Sequence, residues 1–226
     1  MDSESYFDSV AQEWDRLRAA FFPDAVREKA LEIAGPLPGA LAADIGAGTG
    51  FITEALLSRG LRVIAIDQSS AMIAKLRQKF IGNKLLECRM GKALKLPIES
   101  GTVDYAFTNM FLHHVEDPSR AVAEIGRIVR KGGRIVITDV DKHNYESLRI
   151  EQHDRWLGFR REDIGAWLYD AGFDKVRVES IGQDCCAESM THPDCAKISI
   201  FAASGVKRRV TEVETNDNQL CIRCCS

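Results

Sequence analysis

The sequence lacks a dominant charge. Thirty basic residues stand against 33 acidic ones, a net of −3, so nothing in its overall field draws the chain onto nucleic acid or an anionic membrane surface. It also lacks a long apolar run: no stretch approaches the ~20 residues that cross a bilayer. The opening MDSESYFDSV is acidic and polar where a secretory leader needs a basic region followed by an apolar one. A cytoplasmic protein with a small-molecule partner, no nucleic acid and no membrane is therefore expected, and the oligomeric state is left open. An even set of cysteines is missing too. There are seven, and two clusters place them side by side, at Cys185-Cys186 and Cys224-Cys225, which does not make a simple disulfide framework.

What is present is enough for one core: 226 residues, 45% of them hydrophobic. From Gly39 onward, short apolar runs alternate with segments of helical period. ALAADIGAG and LRVIAID read as strands, and GFITEALLSRG and SSAMIAKLRQKF as helices. KLLECRM and VDYAFTN follow as strands, then the helix PSRAVAEIGRIVR, the stop Lys131-Gly132-Gly133, and the strand GRIVITDV. The helix REDIGAWLYDAG leads into KVRVESI and AKISIFAASG. Strands separated by helices require crossovers, which predicts an α/β fold with a mostly parallel sheet covered by helices on both faces. The last two strands have no helix between them and are expected to pair antiparallel. A helical prelude broken at Pro23 precedes this core, and VKRRVTEVETNDNQLCIRCCS after it reads as a flexible tail. The expected divisions are 1–38 (helical lid), 39–205 (ligand-binding domain) and 206–226 (cysteine-containing tail).

The stretch ADIGAGTG, residues 43–50, sets Gly46, Gly48 and Gly50 where the first strand turns into a helix, as in nucleotide-binding sheets. A dinucleotide would bring its pyrophosphate to that helix start, and Asp44, two residues earlier, would repel it. A ligand with an ammonium and a sulfonium but no phosphate would be attracted instead, and S-adenosylmethionine is such a molecule. Asp67 ends the second strand, where an acid accepts hydrogen bonds from both ribose hydroxyls; taken alone, that feature serves NAD equally well.

Asp44, the three glycines, Asp67, VDYAFTNMFLHHVED and RKGGRIVITD together resemble the class I S-adenosylmethionine-dependent methyltransferases over roughly residues 40 to 205. The resemblance implies a Rossmann-like sheet of seven strands whose last strand is antiparallel, lying between the fifth and sixth. It implies S-adenosylmethionine as cofactor, with Asp44, Gly46, Ala47, Gly48 and Gly50 at its methionine part and Asp67, Gln68 and Met72 at its ribose side. Lys92-Ala93 and Asn109 would flank the adenine. Where the family often carries an acid before that alanine, this chain reads Gly91-Lys92-Ala93, so backbone contacts must serve there. Tyr6 and Trp14 resemble the aromatic prelude YFDxxAxxWD that covers the cofactor; Trp14 could equally anchor an amphipathic helix. The segment around His153, Trp156 and Phe159 resembles bacterial methyltransferases of the ubiquinone-biosynthesis-like group, including some fused to arsenic-type regulators.

Two sets of residues bear on the acceptor. His113 and His114, after the fourth strand, are catalytic candidates at the sheet edge that binds ligands; packing on the sheet at a helix start is the other reading. Cys185, Cys186 and Cys195 read as a connection between the last two strands, beside the glycine loop. Three thiols there would suit trivalent arsenic or another thiophile, and unselected thiols are the alternative. One Cys-x-x-Cys in the tail does not make a zinc finger, and no resident metal is expected. Transfer of a methyl group to a small-molecule acceptor is the leading reading. Arsenite methylation, a non-catalytic thiophile-binding protein on the same fold, and an oxidoreductase are the others.

Overall fold

In the computed structural model, residues 3–187 and 196–209 are described. The apolar runs form a seven-stranded sheet in the order β3-β2-β1-β4-β5-β7-β6. Its strands are β1 (Leu41–Ile45), β2 (Arg62–Asp67), β3 (Leu86–Met90), β4 (Val103–Asn109), β5 (Val129–Val140), β6 (Phe173–Ala187) and β7 (Ala196–Lys207). All neighbours are parallel except at β7, which runs antiparallel to both β5 and β6.

The period-two alternation of the strands sorts the core into two layers. Ala42, Val63, Ala65, Phe107 and Val136 meet α3 (Ala25–Ala34) and α4 (Phe51–Ser58) on one face. Ala43, Ile45, Ile64, Ala106 and Ile135 meet α6 (Pro118–Ile128) and α8 (Arg161–Asp170) on the other. Each large side chain so buried is worth ~1.5–3 kcal/mol. Helix starts are locally encoded. Ser69 caps α5 (Ser70–Lys79) by accepting from the Met72 N–H at 3.1 Å, and Asp117 caps α6 by accepting from the Arg120 N–H at 3.1 Å, with Pro118 in the first turn.

Four expectations need correction. The Lys131-Gly132-Gly133 stop lies inside β5, because Gly132 adopts φ +77° and the register breaks between Val103 and Tyr105, a bulge in place of a helix terminus. The sixth strand continues to Ala187 through a register shift between Ser180 and Asp184, so Cys185 and Cys186 belong to β6, paired with Ile198 and Lys197, and not to a loop. Val206 and Lys207, expected in the tail, close β7. The prelude forms α1 (Ser3–Val10), α2 (Trp14–Phe21) and α3, so it breaks after Val10 as well as near Pro23. Cys195, Cys221, Cys224 and Cys225 lie outside the described residues.

Candidate active site

Gly46, Gly48 and Gly50 all take positive φ, at +70°, +53° and +96°, which residues with a Cβ rarely adopt. The turn they make leaves Asp44 fully buried beneath α4. Its carboxylate accepts from the Thr53 N–H at 2.9 Å and the Thr53 hydroxyl at 2.6 Å. The helix start that would hold a phosphate is thus already occupied by a carboxylate of the chain itself. Burial pushes the Asp44 carboxyl up to about 7 against the pull of the Thr53 hydrogen bonds, with Asp67 adding repulsion. Asp67 ends β2 and latches the loop, accepting from the Gly48 N–H at 2.8 Å and the Ser69 N–H at 2.9 Å. Its carboxyl is also raised by burial.

A cleft of about 300 Å³ opens along this edge. Asp44, Gly46, Ala47, Gly48, Asp67, Gln68, Met72, Lys92, Ala93, Asn109 and Trp14 line it, as do Phe111 and Glu116. Two expected residues do not. Gly50 faces away, where a Cβ would come within 2.8 Å of the Phe80 ring, so its lack of a side chain serves packing against the end of α5. Tyr6 lies instead in a neighbouring chamber and donates to Gln152 at 3.1 Å.

The prelude roofs the cleft. The Trp14 ring lies edge-on to Phe7, 5.2 Å between centroids, and Phe7 is in turn edge-on to His114 at 5.0 Å. Two acids fasten α1 and α2 down: Asp8 accepts from the Ser69 hydroxyl and Asp15 from the Thr49 hydroxyl, both at 2.5 Å. Sequence reasoning singled out the aromatics of YFDxxAxxWD and passed over these acids, although each directly follows one of those aromatic positions.

The second chamber, about 60 Å³, is lined by Tyr6, Phe7, Trp14, Phe21, Phe22, Met110, His113, His114, His143, Asp154 and Cys185 among others, and it shares Phe7, Trp14, Phe22, Met110 and His114 with the cleft. Its floor is polar. His113 is buried on the 3-10 turn Leu112–His114, and its Nδ1 donates to Asp139 Oδ1 at 2.6 Å. Asp139 is itself held by the Leu112 N–H at 2.9 Å and the Val140 N–H at 2.8 Å. Burial opposes a charge on His113, but the carboxylates of Asp139 and Asp154 push it up to about 9. Burial and the neighbouring His113 drive His114 well below its ordinary value, and burial brings His143 down to about 4. Asp154 is raised to about 6, chiefly by burial. Asp139, Asp154 and His143 escaped the sequence reading. An aspartate inside the apolar run VITDV was the one available signal.

The described cysteines do not assemble a thiolate cluster. Cys185 faces the chamber, but burial and the acids Asp154 and Asp139 push its thiol up to about 12, so it stays protonated. Cys186 is held in a disulfide. Cys88 sits half-buried in β3, as a small apolar filler would. Phe159 is core, Trp156 is 42% exposed with its indole N–H on the Val115 carbonyl, and His153 packs on Tyr6 at 4.6 Å.

Comparison with known proteins identifies a family. A family model described as a methyltransferase domain matches residues 43–137. A demethylmenaquinone methyltransferase of Thermobifida fusca is 32% identical over 163 residues, covering 70% of this chain and 67% of that protein. A chloroplastic 2-methyl-6-phytyl-1,4-hydroquinone methyltransferase of Arabidopsis thaliana is 29% identical over 70% of this chain and 47% of its own length. Several relatives are longer, and the chain spans 34% of one and 51% of others. In the Haloferax volcanii complex between the Trm112 methyltransferase activator and a methyltransferase, the matching chain superposes with a TM-score of 0.76 at 20% identity, over 92% of this chain and 99% of that one. That similarity speaks to the fold.

Proposed function

The chain belongs to the class I S-adenosylmethionine-dependent methyltransferases, and from that membership we propose that it transfers the methyl group of S-adenosylmethionine to a small acceptor held in the aromatic chamber. The observation that carries the reading is Asp44 seated on the start of α4: it turns a phosphate site into a site for a cation. Asp44 and the loop Gly46–Gly48 hold the ammonium end of the donor. Asp67, with Gln68 and Met72, takes the ribose side, and Ala93, Asn109 and the backbone at Lys92 flank the base. When bound, the donor supplies an activated methyl on a sulfonium. The chain's task is then to align and to exclude water. Phe7, Trp14 and Phe22 close over both spaces, and the floor of His113, His114 and Asp154 meets the acceptor's reacting atom.

The aromatic lining and the names of two relatives make a hydroquinone-type ring the first acceptor class to try. The experiment is calorimetric titration with S-adenosylmethionine, followed by transfer of labelled methyl to hydroquinones and phenols, to small thiols, and to arsenite in excess thiol. Micromolar binding and a labelled organic product are expected. Binding of NADH without binding of S-adenosylmethionine would overturn the assignment, and a methylated arsenical that vanishes in Cys185→Ser would move the acceptor to the metalloid.

A further inference from the structure

Two of the four buried side-chain polar atoms without a hydrogen-bond partner among the described residues, Asp154 Oδ1 and His143 Nε2, line the same small chamber. A buried carboxylate oxygen left unpaired costs ~1–3 kcal/mol or more, and its persistence asks for a partner. The nearest candidates are imidazole nitrogens, yet both stand too far away to donate: His113 Nε2 and His114 Nδ1 are each 3.8 Å from Asp154 Oδ1. Three ligand atoms on these residues lie within 4.8 Å of one another. Around one ion with bonds of ~2.0–2.2 Å, tetrahedral ligand atoms stand roughly 3.3–3.6 Å apart, so the two contacts to Asp154 need to close by a few tenths of an ångström and the histidine pair by at most about 1.5 Å.

The surroundings are organised for that purpose. Asp139 accepts from His113 Nδ1 and orients the ring with Nε2 toward the chamber, where an incoming cation would displace the Nε2 proton, the carboxylate-backed imidazole arrangement found behind metal ligands. Backbone on both sides is held in the left-handed region at residues other than glycine, Met110 at φ +48° and His153 at +56°, a cost of ~1–3 kcal/mol each that collects at functional sites. Two imidazoles and one carboxylate suit a borderline divalent ion such as Zn²⁺, Fe²⁺ or Co²⁺ better than Mg²⁺ or Ca²⁺, which prefer all-oxygen sets.

We propose that His113 Nε2, His114 Nδ1, which gives up its long 3.5 Å contact with the His153 carbonyl, and Asp154 Oδ1 bind one divalent transition-metal ion in the acceptor chamber, leaving an open coordination position for the oxygen or sulfur of the acceptor. An acceptor hydroxyl or thiol held in this position would release its proton to solvent and keep the electron pair that attacks the methyl carbon, while the methyl–sulfur bond breaks with its electrons going to sulfur and S-adenosylhomocysteine leaves. The use of the ion rests on the methyltransferase reading; its binding does not.

The test is titration of the metal-stripped, reduced protein with Co²⁺ by visible absorption and with Zn²⁺ by calorimetry, with S-adenosylmethionine binding measured separately. One equivalent of Co²⁺ with d–d bands and no near-ultraviolet thiolate charge-transfer band is expected. That signal should be lost in His114→Ala and Asp154→Asn, weakened about 10–100-fold in Asp139→Asn, and unchanged in Cys185→Ser. Thermal unfolding of each variant checks that it is folded, and the nearly isosteric Asp154→Asn keeps the test valid if the histidine variant is not. No nitrogen- and oxygen-ligated site at micromolar metal, or one that survives Asp154→Asn, overturns the proposal. Metal binding without S-adenosylmethionine binding would instead leave the site standing and remove the methyltransferase reading.

Discussion

A carboxylate at 2% exposure, as Asp44 is, must either be neutral or be matched by a positive charge. Without a cation the folded state favours the proton, since burial raises Asp44 to about 7, above its ordinary 3.8. The folded chain then binds more protons than the unfolded one between those values. The unfolding free energy of the ligand-free protein should therefore fall as pH rises from about 4 to about 7. Affinity for the ammonium-bearing donor should move oppositely and strengthen across the same window. Denaturant melts and calorimetry at several pH values will read both slopes. In Asp44→Asn we expect the fold to persist with an equal or higher midpoint, donor affinity about tenfold weaker or worse, from the loss of a charge-assisted contact, and a flatter pH response on both measures. An unchanged affinity would remove Asp44 from the donor site. Asp44 was legible in the sequence because its oddity was local, an acid before a glycine loop. Asp139 and Asp154 were not, because their chemistry arises only when β5 and the segment after α7 (Ser147–Glu151) bring them to a histidine 26 and 41 residues away.

At the scale of elements, the lid is a pair of short helices held by a few polar contacts. Replacing both Asp8 and Asp15 by alanine removes the bonds to Ser69 and Thr49. At about 1 kcal/mol each, this should weaken donor affinity by up to about 30-fold and speed its release in stopped-flow, while the melting temperature of the ligand-free protein shifts little. A lid that serves only as core would show the reverse pattern. Gly158 offers a sharper structural test. Its φ is +67°, and a Cβ there would lie 2.2 Å from the Asp141 carbonyl oxygen, so Gly158→Ala should cost at least ~1–2 kcal/mol, visible as a lower thermal midpoint. The helices and inner strands were readable because their periods match their burial. The ends of β5 and β6 were not. Gly132 and Gly182 look like turns in sequence, and long-range pairing with β4 and β7 instead absorbs them as irregularities of a continuous strand.

For the molecule as a whole, a ligand that binds the folded state alone must stabilise it. S-adenosylmethionine at 100 times its dissociation constant should raise the unfolding free energy by about 2.7 kcal/mol, which a thermal melt registers as a rise of several degrees. No shift at millimolar concentration would contradict the donor assignment. The lining of the cleft was foreseeable because its residues come in order along the first half of the chain. The chamber beside it is assembled from α1 and α2, the turn after β4, the end of β5 and the segment following it, and the paired strands β6 and β7, a combination that only the folded topology discloses.

That division of labour has an evolutionary consequence. Apart from Arg155, every residue lining the cleft precedes position 117, whereas Val140, His143, Leu148, Gln152, Asp154, Cys185 and Ile198 in the chamber come later. On the proposed assignment, a duplicated gene would accumulate changes in its second half and acquire a new clientele while inheriting its source of one-carbon groups intact.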